Sequence, residues 1–221
     1  MAESVLPGYR FNTASHRYVS QTTGRFVARR DIVSLLDKQV TSGAERLGEL
    51  TRDFHEGKID RAVWLEQMRG EIKTAHLTNR ALGAGGWDRL TQADYGAVGG
   101  RLQADYRRLE GFADDIASGK ASIAQALNRS NMYAGNARVQ FWDAERERRT
   151  SGTGNVLIER RVLGAAEHCN SCVDFYEQGW QMAGQLPSPG VDSECLSNCK
   201  CVIVSKEVPV LIAGEWIGTR R

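Results

Sequence analysis

GKASIAQALNRSNMYAGNARVQFWDAERERR (residues 119–149) is the stretch that sets the fold class. Ser122 and Gln125 have the spacing of a capping box, which opens a helix. Behind it, Ile123, Leu127, Ser130, Ala134, Ala137, Phe141 and Ala144 recur at alternating steps of four and three. That period predicts one long helix with an apolar seam, and its small residues allow a neighbouring helix to approach closely. The run Glu145 to Arg149 at its end reads as a solvated tip.

Toward the N-terminus the same period recurs. Thr91 and Asp94 form a second capping-box spacing, followed by Tyr95, Val98, Leu102, Leu109, Phe112 and Ile116, with Gly119 as the stop. Asp60 opens an earlier helix carrying Ala62, Leu65, Met68, Ile72 and Ala75 inward, which ends at Leu82 to Gly86. Before it, Asp31 serves as N-cap for a helix with Leu36, Val40, Leu47, Leu50 and Phe54 on one face, stopped at Gly57. Two junctions are alike: Gly57-Lys58 precedes the cap Asp60, and Gly119-Lys120 precedes the cap Ser122. Two antiparallel helical hairpins follow, hence a bundle-like body. Residues 1–30 form an arm in which His16–Ser20 and Gly24–Arg30 flank Gln21-Thr22-Thr23 as a small hairpin. The arm either packs on its own chain or extends onto a neighbouring subunit.

Toward the C-terminus the character changes after Ser151-Gly152-Thr153-Gly154. Val156–Leu163 and Cys201–Ser205 read as strands, and Trp216 in Gly214–Gly218 as a third short one. The fold class is therefore mainly α: an N-terminal arm with a short hairpin (1–30), an antiparallel helical bundle (31–150) and a small α+β cysteine-rich metal-binding domain (151–221).

With 29 basic and 27 acidic residues, the net charge is only +2. That balance gives no case for tight, sequence-independent DNA binding. The apolar run Val208–Ala213 is too short to span a bilayer, and the N-terminus lacks the pattern of a secretory signal. The expected setting is cytosolic, where thiols stay reduced.

All five cysteines lie within residues 169–201: Cys169-x2-Cys172-x22-Cys195-x3-Cys199-x-Cys201. An odd number of clustered thiols in a reducing setting points to metal rather than to disulfides. A C-x2-C knuckle converges two thiolates on one ion, and the second group completes a tetrahedron. Structural zinc, Zn2+, suits soft thiolates best, and its binding would fold a piece too small to hold its own core. Cys169, Cys172 and Cys195 come first as ligands, then Cys201 or Cys199, with His168 able to displace one. Phe175, Tyr176 and Trp180 are expected to cover the site. A zinc deaminase needs H-x-E ahead of P-C-x-x-C, which is absent. So are a P-loop, a GxGxxG with a following acid, an HExxH and a base partnered to a cysteine nucleophile. His16, His55 and His76 read as isolated side chains. No catalytic set is found.

The run Arg161-Val-Leu-Gly164, His168-Cys-x-x-Cys172, Gly179-Trp180, Gly184-x-Leu-Pro187-x-Pro-Gly190 and Cys195-Leu-Ser-Asn-Cys-Lys-Cys201 resembles phage minor head, or head morphogenesis, proteins of the Mu F-like type. Gly85-Gly86, Tyr95-Gly96, Leu109-x-Gly-Phe112 and Met132-Tyr133-Ala134 are similar to the middle of those proteins. Arg17-Tyr-Val and Thr23-Gly-Arg-Phe-Val27 are similar to their opening. The family's histidine in the second ligand group aligns with Leu196, so Cys195 stands as its replacement ligand. The resemblance implies a structural virion protein, assembled in the host cytoplasm and present in few copies. It would act near the portal in head assembly or in DNA packaging and ejection, with the portal or major capsid protein as partner and no membrane. The alternative is a zinc-ribbon-like nucleic-acid-binding module using Arg160, Arg161, Lys200 and Lys206.

Overall fold

A computed structural model describes residues 5–149, 155–191 and 193–220. The break read at Ser151 to Gly154 lies outside them. The chain is mainly helical, with a small antiparallel sheet and a C-terminal cysteine cluster. Helices α1 (Arg29–His55) and α2 (Arg61–Ala84) are joined at Gly57, whose φ of 73° only glycine adopts freely. Asp60 caps α2 by accepting from the Val63 amide at 2.9 Å. Helix α3 (Gln92–Ala117) opens with the Thr91–Asp94 capping box, and α4 (Ile123–Asn136) with that of Ser122 and Gln125.

Helix α1 packs against α4 and α2, and α2 also against α3 and α5. Close approach of α1 and α4 rests on small residues: a Cβ on Gly43 would sit 3.8 Å from that of Ala134, and Thr51 and Ser130 share a buried 2.6 Å hydroxyl bond. The main core gathers Leu47, Trp64, Met68, Ile72, Leu109 and Phe112, with the Trp64 ring between Phe54 and Phe112 at 5.1 and 5.3 Å.

Five expectations are corrected. The helix read as continuous to Ala144 breaks after Asn136, and α5 (Val139–Arg149) restarts two residues later. The amides of Arg138, Gln140 and Phe141 bond three residues back instead of four, which tightens the chain. This turn lets the buried Arg138 reach Asp37 on α1 at 2.7 Å. Helix α1 starts at Arg29 behind Ala28, so Asp31 is not its cap; it lies in the first turn, where a carboxylate still favours the helix dipole. The hairpin pairs β1 (Tyr9–Asn12) with β2 (Arg17–Ser20), one strand earlier than expected, and Phe26 adds only a single bridge to Val19. It packs on its own chain: Tyr18 is buried and donates to the Leu82 carbonyl at 2.8 Å.

Glu145 to Arg149 is the fourth correction. These residues do not form a solvated tip. Glu145 pairs with Arg29, Arg146 with Glu159, Glu147 with Arg80 and Arg148 with Asp94, while Arg149 donates to Ser205. Arg80 and Asp94, 2.8 Å apart, are each 2% exposed. Burial pushes the Asp94 carboxyl up, but hydrogen bonds from Thr91, Arg148 and Arg80 outweigh it and hold the group well below the usual carboxylate range.

The sheet has the order β4-β3-β5, all antiparallel: β3 (Asn155–Val162), β4 (Gln181–Met182) and β5 (Val202–Pro209). The third strand is therefore β4. The segment around Trp216 forms a short helix, α7 (Ala213–Trp216), that packs on Ile158 and Val208 of the sheet, and Ile217 makes a single bridge to Trp180. A second core joins Tyr18 of the arm, Leu36, Leu82 and Phe141 of the helices, and Leu186 and Ile203 of the C-terminal part.

Asp94→Ala should lower the unfolding free energy by roughly 3–5 kcal/mol, because it strands buried guanidinium charge. Urea titration reads this directly. A depressed carboxyl stabilises the fold above its unfolded pKa and loses that effect as pH falls. The deficit of the variant should therefore be full above about pH 4 and shrink below it. Gly83→Ala drives a Cβ into the Phe141 carbonyl where α2 crosses α5. Its expected cost is about 1–3 kcal/mol, read as a lower thermal midpoint.

Candidate metal centre

Two chain segments deliver the thiols. Cys169 caps α6 (Asn170–Glu177), and Cys172 follows one turn on, its amide bonded to the Cys169 carbonyl at 3.1 Å. The second segment is the short 3-10 turn Leu196–Asn198 with Cys195 and Cys199 at its ends. Cys199 and Cys201 reach the site from the loop ahead of β5 (Val202–Pro209), so Cys201, read as the first residue of that strand, lies just before it.

Leu196 adopts φ of 44°, a conformation that bulky residues avoid, and is 47% exposed. Bonds from the amides of Leu196, Asn198 and Cys199 to the carbonyls of Ser193, Cys195 and Leu196 hold this turn. It points Leu196 outward and leaves Cys195 in the cluster. Ser171 and Glu194 clasp the segments together: the Glu194 amide donates to Ser171 Oγ at 2.9 Å and the Asn170 amide to Glu194 Oε2 at 3.1 Å.

All five thiols are free, and they form two groups able to hold a metal ion: Cys169, Cys172 and Cys195, and Cys172, Cys199 and Cys201. Within each group the Sγ atoms lie within 4.8 Å of one another. Cys172 belongs to both, at 3.5 Å from Cys195 and 3.7 Å from Cys199. Cys172, Cys199 and Cys201 are buried, while Cys169 and Cys195 are half-buried.

The thiols divide by charge. The Cys201 thiol hydrogen-bonds to Cys199 and draws it down to about 4, and the same contact raises Cys201. A hydrogen bond from Ser171 lowers Cys169 to about 6. Burial raises Cys172 and Cys195. A cluster in which two thiols are drawn toward the thiolate form, and others release protons on binding, suits a cation.

Surrounding groups complete the site. Arg161, fully buried on β3, points Nη1 at Cys199 Sγ from 3.8 Å, donates to the Pro187 carbonyl and covers the Phe175 ring at 5.2 Å. His168 Nε2 donates to the Gly164 carbonyl at 2.9 Å, which leaves Nδ1 3.8 Å from Cys201 Sγ. Gly164 itself abuts the Lys200 carbonyl so closely that a Cβ would not fit. Leu163 is the apolar side chain against the thiols; Trp180 packs elsewhere, with Ile158, Val208 and Trp216. The role of Arg161 escaped the sequence reading. Its only signal was alternation with Glu159 on one face of β3, and a charge there reads as exposed until the opposite layer is known.

The other singled-out residues lie apart. His76 is buried in a pair with Asp105 at 3.2 Å and beside Gln140 at 3.3 Å. Arg160 lies over the Trp180 ring and Lys206 over that of Trp216. Arg161 is buried and Arg160 half-buried, while Lys200 and Lys206 are exposed. Among the described residues no helix is long and apolar enough to cross a membrane. Comparison with protein-family models, curated proteins and solved structures finds no match for this chain.

Cys172→Ser should weaken metal binding more than any other single Cys→Ser change, because both groups share that atom. Titration with Co2+, followed by thiolate-to-metal charge-transfer absorption, measures it. Arg161→Gln should cost about 10–100-fold in affinity, the usual scale for a group bonded to a ligand.

Proposed function

We propose that this chain is a structural component of a phage head, a minor head protein that acts by binding at the portal during head assembly or DNA packaging and ejection, and that Zn2+ braces its C-terminal domain. One observation carries the reading. The segments that bear the resemblance, Arg161 to Gly164, His168 to Cys172 and Cys195 to Cys201, converge on a single thiol cluster. With a zinc–sulfur bond of about 2.3 Å, the edge of a thiolate tetrahedron is about 3.8 Å. The separations of 3.5 and 3.7 Å at Cys172 agree with that edge.

Cys169, Cys172, Cys195 and one of Cys199 and Cys201 would hold the ion, with Arg161 offsetting part of the thiolate charge. The turn Leu196–Asn198 packs against α4, so metal binding would tie the domain to the helical body. Zinc in such a site supplies about 10–16 kcal/mol in small domains, enough to order this segment. With four of the five thiols serving as ligands, the reading calls for binding without turnover.

The test is co-purification from a producing host. The tagged chain should appear in heads and with the portal or capsid protein, carrying one zinc by mass spectrometry, and Cys172→Ser should be lost from heads. A chain that stays free of heads and of both partners would sink this reading.

A further inference from the structure

A cavity of about 320 Å³ opens where the N-terminal hairpin, the ends of α2 and α5 and strand β5 meet. It shares no residue with the thiol cluster. Its floor is apolar, from Phe11, Ile32 and Phe141, and its polar lining is dominated by cations: Arg17, Arg29, Arg148 and Arg149, against the single carboxylate of Glu145.

The acceptors are already spent. Glu145 is held by Arg29, Nη2 to Oε2 at 2.6 Å, and Asp94, behind the wall, takes Arg148 at 2.7 Å. Donors remain. Arg29 Nε, Arg149 Nε and His16 Nδ1 are closed off from solvent and have no hydrogen-bond partner. Buried polar groups are nearly always paired, and leaving one unpaired costs about 1–3 kcal/mol, more when it is charged. These three nitrogens sit on residues that line one cavity, and with its arginine lining they favour a ligand rich in acceptors. Arg149 donates to Ser205 and Arg17 lies over the Phe26 ring at 4.5 Å, but neither has a carboxylate partner among the described residues. Two unneutralised guanidinium groups match a dianion. His16 adds backbone evidence: its φ of 49° is unusual outside glycine, and such strain gathers at ligand sites.

A phosphate monoester carries a charge near −2 and three strong acceptor oxygens. Bare phosphate would leave most of the volume empty, so an apolar or flat body belongs against Phe11 and Phe141. The size is at the low end of the range for small-molecule pockets, about 300–1,000 Å³. We propose that this cavity binds an organic monophosphate of nucleotide size, its phosphate among Arg17, Arg149 and His16 and its body on the aromatic floor. The phosphate can come from a free nucleotide or from the phosphorylated end of a DNA strand.

Calorimetric titration of the full chain with adenosine monophosphate, inorganic phosphate and adenosine tests this. Adenosine monophosphate should bind at one site, at least tenfold more tightly than either part alone. Arg149→Gln and the surface change Arg17→Gln should each weaken it at least tenfold, with thermal melts reporting that both variants fold. Arg25→Gln, an exposed arginine of the same arm, should leave it unchanged. A 5′-phosphorylated oligonucleotide that displaces the nucleotide identifies a strand end as the source; one that does not, with nucleotide binding intact, identifies the free nucleotide. Absence of saturable binding, or an Arg25→Gln loss equal to that of Arg149→Gln, overturns the proposal.

Discussion

Five consecutive charged residues, Glu145 to Arg149, hold the molecule together from the end of α5. Each reaches a different element: the start of α1, strand β3, helix α2, the start of α3 and strand β5. Successive helical side chains point about 100° apart, so reaching five elements needs protein around most of the helix end, with only Glu147 largely exposed. The pairs differ in burial, but Arg80, Asp94 and Glu159 are almost fully enclosed. Buried pairs of this kind often add little net stability over apolar packing. Their effect is selective, since any docking that mismatched one partner would strand a charge. The array thereby defines how the sheet sits on the helices.

The thiol cluster depends on that arrangement. Strand β3 supplies Glu159 to the ionic hub and, two residues later on the same face, Arg161 to the cysteines. Seating the strand on α5 thus also aims a guanidinium at Cys199. The turn carrying Cys195 and Cys199 rests on α4, and β5 continues from Cys201 to the Ser205 that meets Arg149. The cavity beside the hairpin has the same origin. It is the space left where α5 ends between the arm and β5, lined by members of the same charged run.

Local signals were legible in the sequence because local chemistry determines them. The caps at Asp60, Thr91 and Ser122 and the left-handed glycines 57 and 119 act within four residues of themselves. The same holds for the gathering of all five cysteines, since their spacing already limits where they can lie. The break at Ala137-Arg138 was hidden because the seam residues on either side remain buried, so the apolar period runs across it unbroken. The partner of β2 was misread because both flanking segments have strand composition and both pack on the core that holds Leu82.

The sequence by itself determined most of the helices, the glycine stops at 57 and 119 and the identity of the thiol donors, all set by backbone preference and side-chain chemistry at short range. Only the tertiary structure decided that Glu145 to Arg149 is paired, that Arg161 lies beside Cys199, and that Cys172 is the thiol common to both groups. The physical reason is that a charge or a thiol carries no mark of its surroundings. Whether it is solvated, paired or coordinated depends on residues more than ten or a hundred positions away, brought beside it by packing.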